Sequence, residues 1–578
     1  VSALTITNSS ITGNTASNGP GGGILAAGTV NSITGCTFSG NSATGDGGAL
    51  AISSNASLLD CTLSGNTAGQ DGGAIAIFDP FATLYATNST LAGNKATGDA
   101  GAIYNASSLV FLTNSTVSGN SAGTSGGIDT TVDSINGPPF FSVGQTTLNN
   151  TIVAGNTVGS TPSDLSGSPV QSASSHNLIG DSSTAGGLTN GVNGNIVGKN
   201  PLLSALGNYG GATQTMALLP GSPAIDAGNN ALAIDPSNSN AALTTDQRGQ
   251  GYARLVNSIV DIGAYESEGF TIAATSGTPQ STDVNTPFAN PLKVTVTAYD
   301  PLLTNLAGGI VTFRAPTTGA SATFSSLTAT LAADGTASVT ATANSTVGGP
   351  YNVTTSASGI TAPASFALTN KSAVITPVFS NLSGPTIIYY SLFTVLSGKL
   401  SSGALIPPGS VTITLNGTRQ TVSIKSGGSF SAIFFTGFLK AGTYTVQYAY
   451  AGSGNFAPVT TSSTLKVTYK IDLGFDNDHS YKAGSTIPVE FEVADAFGQD
   501  VNNTATSATA TAIALASSPN IILPVPAGSS AGGKFSPDRD YDDYSLNLKT
   551  TGLNPGTYLL YFNISGDPIT HSLTFVIK

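Results

Sequence analysis

Along the first half of the chain, apolar side chains are sparse, single and evenly spaced. Ile11, Phe38, Leu63, Leu91, Val117 and Val153 each stand three residues before an asparagine. Those asparagines, Asn14, Asn41, Asn66, Asn94, Asn120 and Asn156, recur every 25–28 residues and once after 36. A second mark follows in the first five repeats: Gly22-Gly23, Gly47-Gly48, Gly72-Gly73, Ala100-Gly101 and Gly126-Gly127. Two residues beyond it stand Leu25, Leu50, Ile75 and Ile103. Between these marks lie small polar residues in segments of roughly 5–8, with no amphipathic run of helical length. A period in the twenties means a solenoid. Short strands point to a right-handed parallel β-helix, rising roughly 4.8 Å per coil. One coil cannot bury its own apolar face, so neighbours must stack.

In that frame the asparagine column predicts amides hydrogen-bonded along the axis, each bond worth about 1 kcal/mol net. The glycines allow positive φ at the following corner. The one long interval contains "SINGPPFF", which reads as a loop extruded from a coil.

After Glu266 the pattern changes to alternation with period 2. "GSVTITLNGTRQTVSIK" (Gly409–Lys425) is two alternating strands about Asn416-Gly417, a strong hairpin signal. "GGPYNVTTS", "AGTYTVQYA" and "PGTYLLYFN" mark three modules, with Tyr351, Tyr444 and Tyr558 placed like the tyrosine corner of an Ig-like sandwich. The predicted fold is all-β: a β-helix with a closing segment over 1–268, then Ig-like domains over 271–370, 371–469 and 470–578.

Composition narrows the function. Charged residues make up 8% of the chain, against about 25% in an ordinary soluble protein. The net charge of −12 excludes a phosphate-backbone partner, which needs a basic face. No window approaches the roughly 18 unbroken apolar residues of a membrane span. Two cysteines make no disulfide framework. The absence of Trp removes the usual platform for sugars.

Candidate chemistry is thin. "GNSATGDGGA" lacks the Gly-Lys-Ser/Thr end of a phosphate loop, and its near-copies make it a corner. Asp46, Asp71 and Asp99 form a column five residues after their asparagines, read as solvated turns with a weak cation site as the alternative. A lyase or glycosidase needs clustered carboxylates or a base on one face. The coils supply scattered acids and Lys95, so no catalytic residue is assigned. Cys36 and Cys61 share one column with Ser9, Ser89, Ser115 and Thr151. Stacking brings them within disulfide range, but in-register side chains suit the S–S torsion poorly, so stacked thiols and a bridge both stay open. Asp226, Asp246, Arg248, Arg254, Asp261 and Glu266 concentrate charge in the closing segment, as expected of an ion-paired plug over the last coil. In the C-terminal module, Asp472, Asp476, Asp478, Asp538, Asp540, Asp542 and Asp543 offer shared Ca²⁺ ligands if their loops meet, and solvated loops if they do not. Sequons at Asn8, Asn55, Asn88, Asn105, Asn114, Asn344, Asn352, Asn381, Asn416, Asn502 and Asn563 matter only in a glycosylating host.

"FSGN…GGAL" (Phe38–Leu50) and "LSGN…GGAI" (Leu63–Ile75) resemble the paired FxxN and GGA(I/L/V) motifs of polymorphic outer-membrane protein repeats. "NPLLSALGNYGGATQTMALLPGSPAIDAGN", "TDQRG" and "DIGAYE" resemble the closing segment of bacterial secreted β-helix proteins. "FALTN" and "YAGSGNFAP" resemble bacterial Ig-like surface modules, and "AGSTIPVEF" a C-terminal module in which Glu490 takes the place of a motif lysine. The resemblance implies a secreted, non-catalytic surface protein, structural or adhesive. Its sharper form is a fibre made by strand pairing at the first coil, which shows no cap. A carbohydrate-binding or polysaccharide-degrading β-helix is the rival. The expected partners are further copies of the chain, or surface glycans.

Overall fold

The computed structural model describes residues 3–28, 30–131, 144–474, 479–501, 506–538 and 543–578. Among them regular structure is strand, apart from three short 3-10 turns. The chain divides into two compact units, 1–371 and 372–578. The segment read as an extruded loop, "SINGPPFF", lies outside the described residues.

The first unit opens with four sheets of parallel strands, each adding one strand per coil, the third ending in an antiparallel pair of Thr157–Val158 with Thr161–Pro162. The first face runs from Leu4–Thr7 to Gln145–Asn149, and the second from Ser10–Thr12 to Ile196–Val197. The third begins at Thr15–Ala16 and the fourth at Ile24–Ala26. Strand register aligns Ile11, Phe38, Leu63, Leu91, Val117 and Val153 on the second face. These side chains meet Leu58, Leu84 and Leu112 from the first face and Leu50, Ile75 and Ile103 from the fourth in one continuous core.

Two glycine requirements shape the corners. The glycine before each ladder asparagine (Gly13, Gly40, Gly65, Gly93, Gly119, Gly155) has φ between 62° and 72°, where a Cβ is strained. Gly48 faces a different limit: a Cβ there would lie 2.3 Å from the carbonyl oxygen of Gly73 in the next coil.

Register corrects the sequence at two coils. Gly22 stacks on Gly48, and Gly101 on Gly126, so the glycine pair of the first coil is Gly21-Gly22. Ile24, not Leu25, then aligns with Leu50, and Leu25 is left 58% exposed. Where three residues could serve as the glycine mark, the hydrogen bonds of the neighbouring coil choose between them.

Three antiparallel sandwiches follow, of one topology. The first pairs Phe270–Ser276, Leu292–Ala298 and Thr336–Val339 against a five-stranded sheet whose first strand, Gln280–Asp283, runs parallel to its last, Ala364–Lys371. The second repeats this with Thr386–Ile388 beside Val459–Thr468, and the third with Ser480–Tyr481 beside Thr570–Ile577. Leu415 pairs with Thr418 around Asn416 and Gly417, both at positive φ, as the hairpin signal requires. Tyr444 and Tyr558 donate to the carbonyls of Lys440 and Asn554, four residues back. Tyr351 departs from that pattern. Its hydroxyl donates to Asn370 Oδ1 at 2.9 Å, because Asn370 is buried in a polar knot with Ser321, Asn344 and Thr346.

The β-helix and the first sandwich share one unit because their apolar contacts are continuous. Ile152 and Leu178 face outward on the second face and cluster with Leu218, Ile262, Tyr265, Phe270 and Phe313.

Candidate functional site

The asparagine column lies inside the corner between the second and third faces. Each Nδ2 donates to Oδ1 of the next asparagine: Asn14 to Asn41 at 2.9 Å, Asn41 to Asn66 at 2.9 Å, Asn66 to Asn94 at 2.8 Å, Asn94 to Asn120 at 2.9 Å, Asn120 to Asn156 at 2.8 Å. The same Oδ1 also accepts the preceding asparagine's backbone N–H. From Asn41 onward, Nδ2 also donates to a carbonyl one coil back, that of Ile11, Phe38, Leu63, Leu91 or Val117. Asp164 ends the run by accepting from Asn156 Nδ2 at 3.0 Å.

Sequence reasoning missed Asp164, Asn177 and Asn195. The last two extend the cysteine column, since Thr151 donates its N–H to Asn177 Oδ1 and Asn177 its amide to Asn195 Oδ1. A signal was present: Asn177-Leu-Ile-Gly and Asn195-Ile-Val-Gly are near-copies.

The bridge between Cys36 and Cys61 does not form; both are free and fully buried. Their thiols donate to the carbonyls of Thr34 and Leu59, two residues back in each case. Equivalent side chains on stacked coils project in the same direction, and an S–S torsion near 90° needs them turned across each other. The neighbouring Cys61 side chain pulls the Cys36 pKa down, and Cys36 together with burial pushes that of Cys61 up. Because both thiols are fully buried, alkylation of the native protein should leave both unmodified, and alkylation in urea should add two groups without prior reduction. A reductant requirement would restore the bridge.

The closing segment is not a plug over the last coil. It is a strap that runs back along the outside of the second face. Thr213 donates to the carbonyl of Asp60, and Thr62 to that of Gln214. Gln247 Nε2 donates to the carbonyl of Cys61, Asn88 Nδ2 to that of Thr245, and Ala264 N–H to Thr116 Oγ1. The cause is visible in the coils: outward Ile152 and Leu178 need an apolar cover, and Thr62, Thr90 and Thr116 offer hydrogen bonds to the same cover.

Its charges form two buried groups. Arg248 lies between the rings of Tyr252 and Tyr265, 4.0 and 3.9 Å from their centroids. Its guanidinium binds Asp246 at 2.8 Å and Asp300, from the first sandwich, at 2.9 Å. Tyr265 donates to the same Asp300 oxygen at 2.7 Å. In the second group Arg254 binds Glu266 at 2.7 Å. Asp261 accepts the N–H groups of Asp226 and Ser267.

Burial pushes Glu266 up to about 7 against the pull of Arg254, and pushes Asp60, beneath the strap, up to about 7 as well. Carboxyls of an unfolded chain titrate near 4. The folded state thus binds more protons between about pH 4 and 7, and stability from these groups is lost as pH rises through that window. The melting temperature of the first unit should fall from pH 5 to pH 8, and Glu266→Gln should flatten the fall. Calorimetry across that range checks the sign; a rise would refute it.

The remaining candidates sit as follows. Asp46 and Asp71 each accept the N–H of the next acid in their column, Asp71 and Asp99, so the column caps backbone. In the third sandwich Asp472 pairs with Glu492 across the sheet and is bound by Lys470 at 2.7 Å. Asp538 pairs with Asp543 in the same sheet. Asp476, Asp478, Asp540 and Asp542 lie outside the described residues, as does the sequon Asn502. The sequons Asn88, Asn105 and Asn114 are buried. A cleft of about 430 Å³ between the strap and the coils is lined by Asp164, Asp181, Pro201 and Met216. No helix among the described residues is long and apolar enough to cross a membrane.

No protein-family description matches this sequence, and no curated protein matches it. Solved structures that resemble it include an I-band fragment of titin, 14% identical, covering 54% of this chain and 96% of that one, with a TM-score of 0.20. Fibronectin(III)-like modules from Clostridium thermocellum are 11% identical over 35% of this chain and 94% of theirs, TM-score 0.16. A Ca²⁺-stabilized adhesin that helps an Antarctic bacterium reach out and bind ice is 13% identical over 55% and 77%, TM-score 0.16.

Proposed function

We propose that the chain is an extracellular structural or adhesive protein that works without catalysis and associates with further copies of itself. The observation that carries this reading is an apolar face on the second sandwich. Strands Phe393–Ser401 and Ser429–Phe435 pair Phe393 with Phe435 and Val395 with Ile433 on the outer side of their sheet. All four are exposed, Ile433 at 61%, and Phe438 beside them is 84% exposed. The rings of Phe393, Phe435 and Phe438 touch in sequence, with centroids 5.5 and 5.1 Å apart. A contiguous apolar patch of this kind marks an interaction surface. A second copy brings the same patch, and a two-fold contact buries both at once. A fibre is the sharper form, with exposed strand edges of successive copies pairing.

Sedimentation velocity and electron microscopy of the full chain test this. Concentration-dependent association is expected, weakened at least tenfold in Ile433→Thr/Phe435→Ser. A chain that stays monomeric at high concentration removes the self-association.

One observation favours the carbohydrate reading. Tyr85 and Phe111 stack on the outer side of the first face, with centroids 5.3 Å apart and planes 18° from parallel. Glycan binding lost in Tyr85→Ala would support it.

A further inference from the structure

Between Asp334 and Asp472 the chain carries no acidic residue and seven basic ones. At the chain's own frequency of 30 acids in 578 residues, about seven acids would be expected there. The second sandwich lies inside this stretch, so it is a purely cationic module in a chain of net charge −12. Among the described residues its five cations, Lys399, Arg419, Lys425, Lys440 and Lys466, make no ion pair.

Strand pairing sorts them by face. Lys466 stands opposite Thr443 and Arg419 opposite Thr414, on the outer side of the five-stranded sheet, which turns Leu465, Val467 and Ile413 into the core. Lys399 stands on the outer side of the three-stranded sheet between Ser380 and Ser429, and the next outward rung pairs Ser397 with Ser431. A turn closed by the Gly428 N–H on the Lys425 carbonyl brings Lys425 beside Ser429. Asn381, Ser397, Lys399, Lys425, Ser429 and Ser431 line a groove of about 350 Å³. None of these six side chains is tied to another described residue by a hydrogen bond or ion pair. The rung of Val395 and Ile433, where the apolar patch begins, is four residues from that of Lys399 and Ser429, about 13 Å.

We propose that this groove binds an acidic polysaccharide, with a uronate carboxylate held by the Lys399 and Lys425 ammonium groups and ring hydroxyls on Ser397, Ser429 and Ser431. The lining chooses among anions. Its volume falls in the roughly 300–1,000 Å³ range of small-ligand sites, room for a sugar ring with its charge, where an inorganic anion would leave most of it empty. Serine hydroxyls give and take hydrogen bonds, as ring hydroxyls do. A carboxylate side chain of a second copy would meet the lysines and leave the serines unanswered. One groove with two cations is not the extended basic face that a nucleic acid needs. Recognition by charge and hydroxyls needs no Trp platform. Neither cation is buried, so the binding is weak and sensitive to salt.

The experiment is binding of the full chain to immobilised polygalacturonate, with dextran as the neutral control. Salt of about 0.15 M limits the reach of acids elsewhere in the chain to about 8 Å. Saturable binding to polygalacturonate and none to dextran is expected. Lys399→Gln or Lys425→Gln should each weaken it about fivefold, and the two together at least tenfold. Arg419→Gln/Lys466→Gln removes the same charge from the opposite face and should leave binding unchanged. So should Ile433→Thr/Phe435→Ser, which separates the groove from self-association, and Tyr85→Ala, which separates it from the first face of the β-helix. Equal binding by Lys399→Gln/Lys425→Gln, or a loss in any of the three controls, overturns the site. No binding of polygalacturonate by the natural sequence overturns it too, and self-association then lost in Lys399→Gln/Lys425→Gln would make a second copy the occupant.

Discussion

Arg248→Ala should destabilise the first unit by about 4 kcal/mol, among the largest effects available to a single substitution. The guanidinium donates to Asp246, to Asp300 and to the carbonyl of Glu266, and two tyrosine rings enclose it. Its removal leaves two carboxylates buried without a counter-charge. Burial by itself would lower the Arg248 pKa; Asp246 and then Asp300 hold the proton on. Arg248→Lys should recover little, because an ammonium cannot span both carboxylates in the plane the two rings define. Arg248→Ala combined with Asp300→Asn should recover part of the loss, since one stranded charge is gone. Urea unfolding followed by tyrosine fluorescence measures all three, the chain having no Trp. A loss under about 1 kcal/mol for Arg248→Ala would mean that water reaches the group.

Asn94→Ala should cost about 3–4 kcal/mol. The side chain gives two hydrogen bonds, to Asn120 and to the carbonyl of Leu63, and takes two, from the N–H and amide of Asn66. All lie in the dry corner, where each deserted partner costs about 1–3 kcal/mol, partly offset by relaxation. Asn14→Ala, at the more exposed end of the column, should cost about 1 kcal/mol. Chemical denaturation of both variants gives the comparison. Equal losses would mean that the column acts no differently from surface amides.

The two predictions differ in how far a reader of the sequence could have reached them. The six asparagines of the column were legible, though not Asp164, which ends it. A residue that must saturate the same corner in every coil leaves a period, and the glycine before it leaves a second one. The hairpin at Asn416-Gly417 and the sandwich tyrosines were legible for the same reason, since each is a local backbone requirement. Arg248 was visible only as one charge among six in a neutral segment. Nothing local says that its second carboxylate is Asp300, 52 residues further on in another domain.

The corrections share a cause. The glycine mark of the first coil slipped by one because "PGGG" satisfies the local rule in more than one way, and the adjacent coil's hydrogen bonds decide. The cysteines stayed free because rung stacking fixes their direction as well as their spacing. The closing segment became a strap because Ile152 and Leu178 face outward, a fact that depends on register.

Sequence alone therefore determined the repeating part of this protein: β-helix coils, their inward columns, and the alternating strands of three sandwiches. These follow from periodic backbone and burial demands, which residues a few positions apart must meet together. Tertiary structure alone decided where the strap lies and which charges it buries. Those outcomes depend on pairs far apart in the chain, brought within reach only after the coils have stacked.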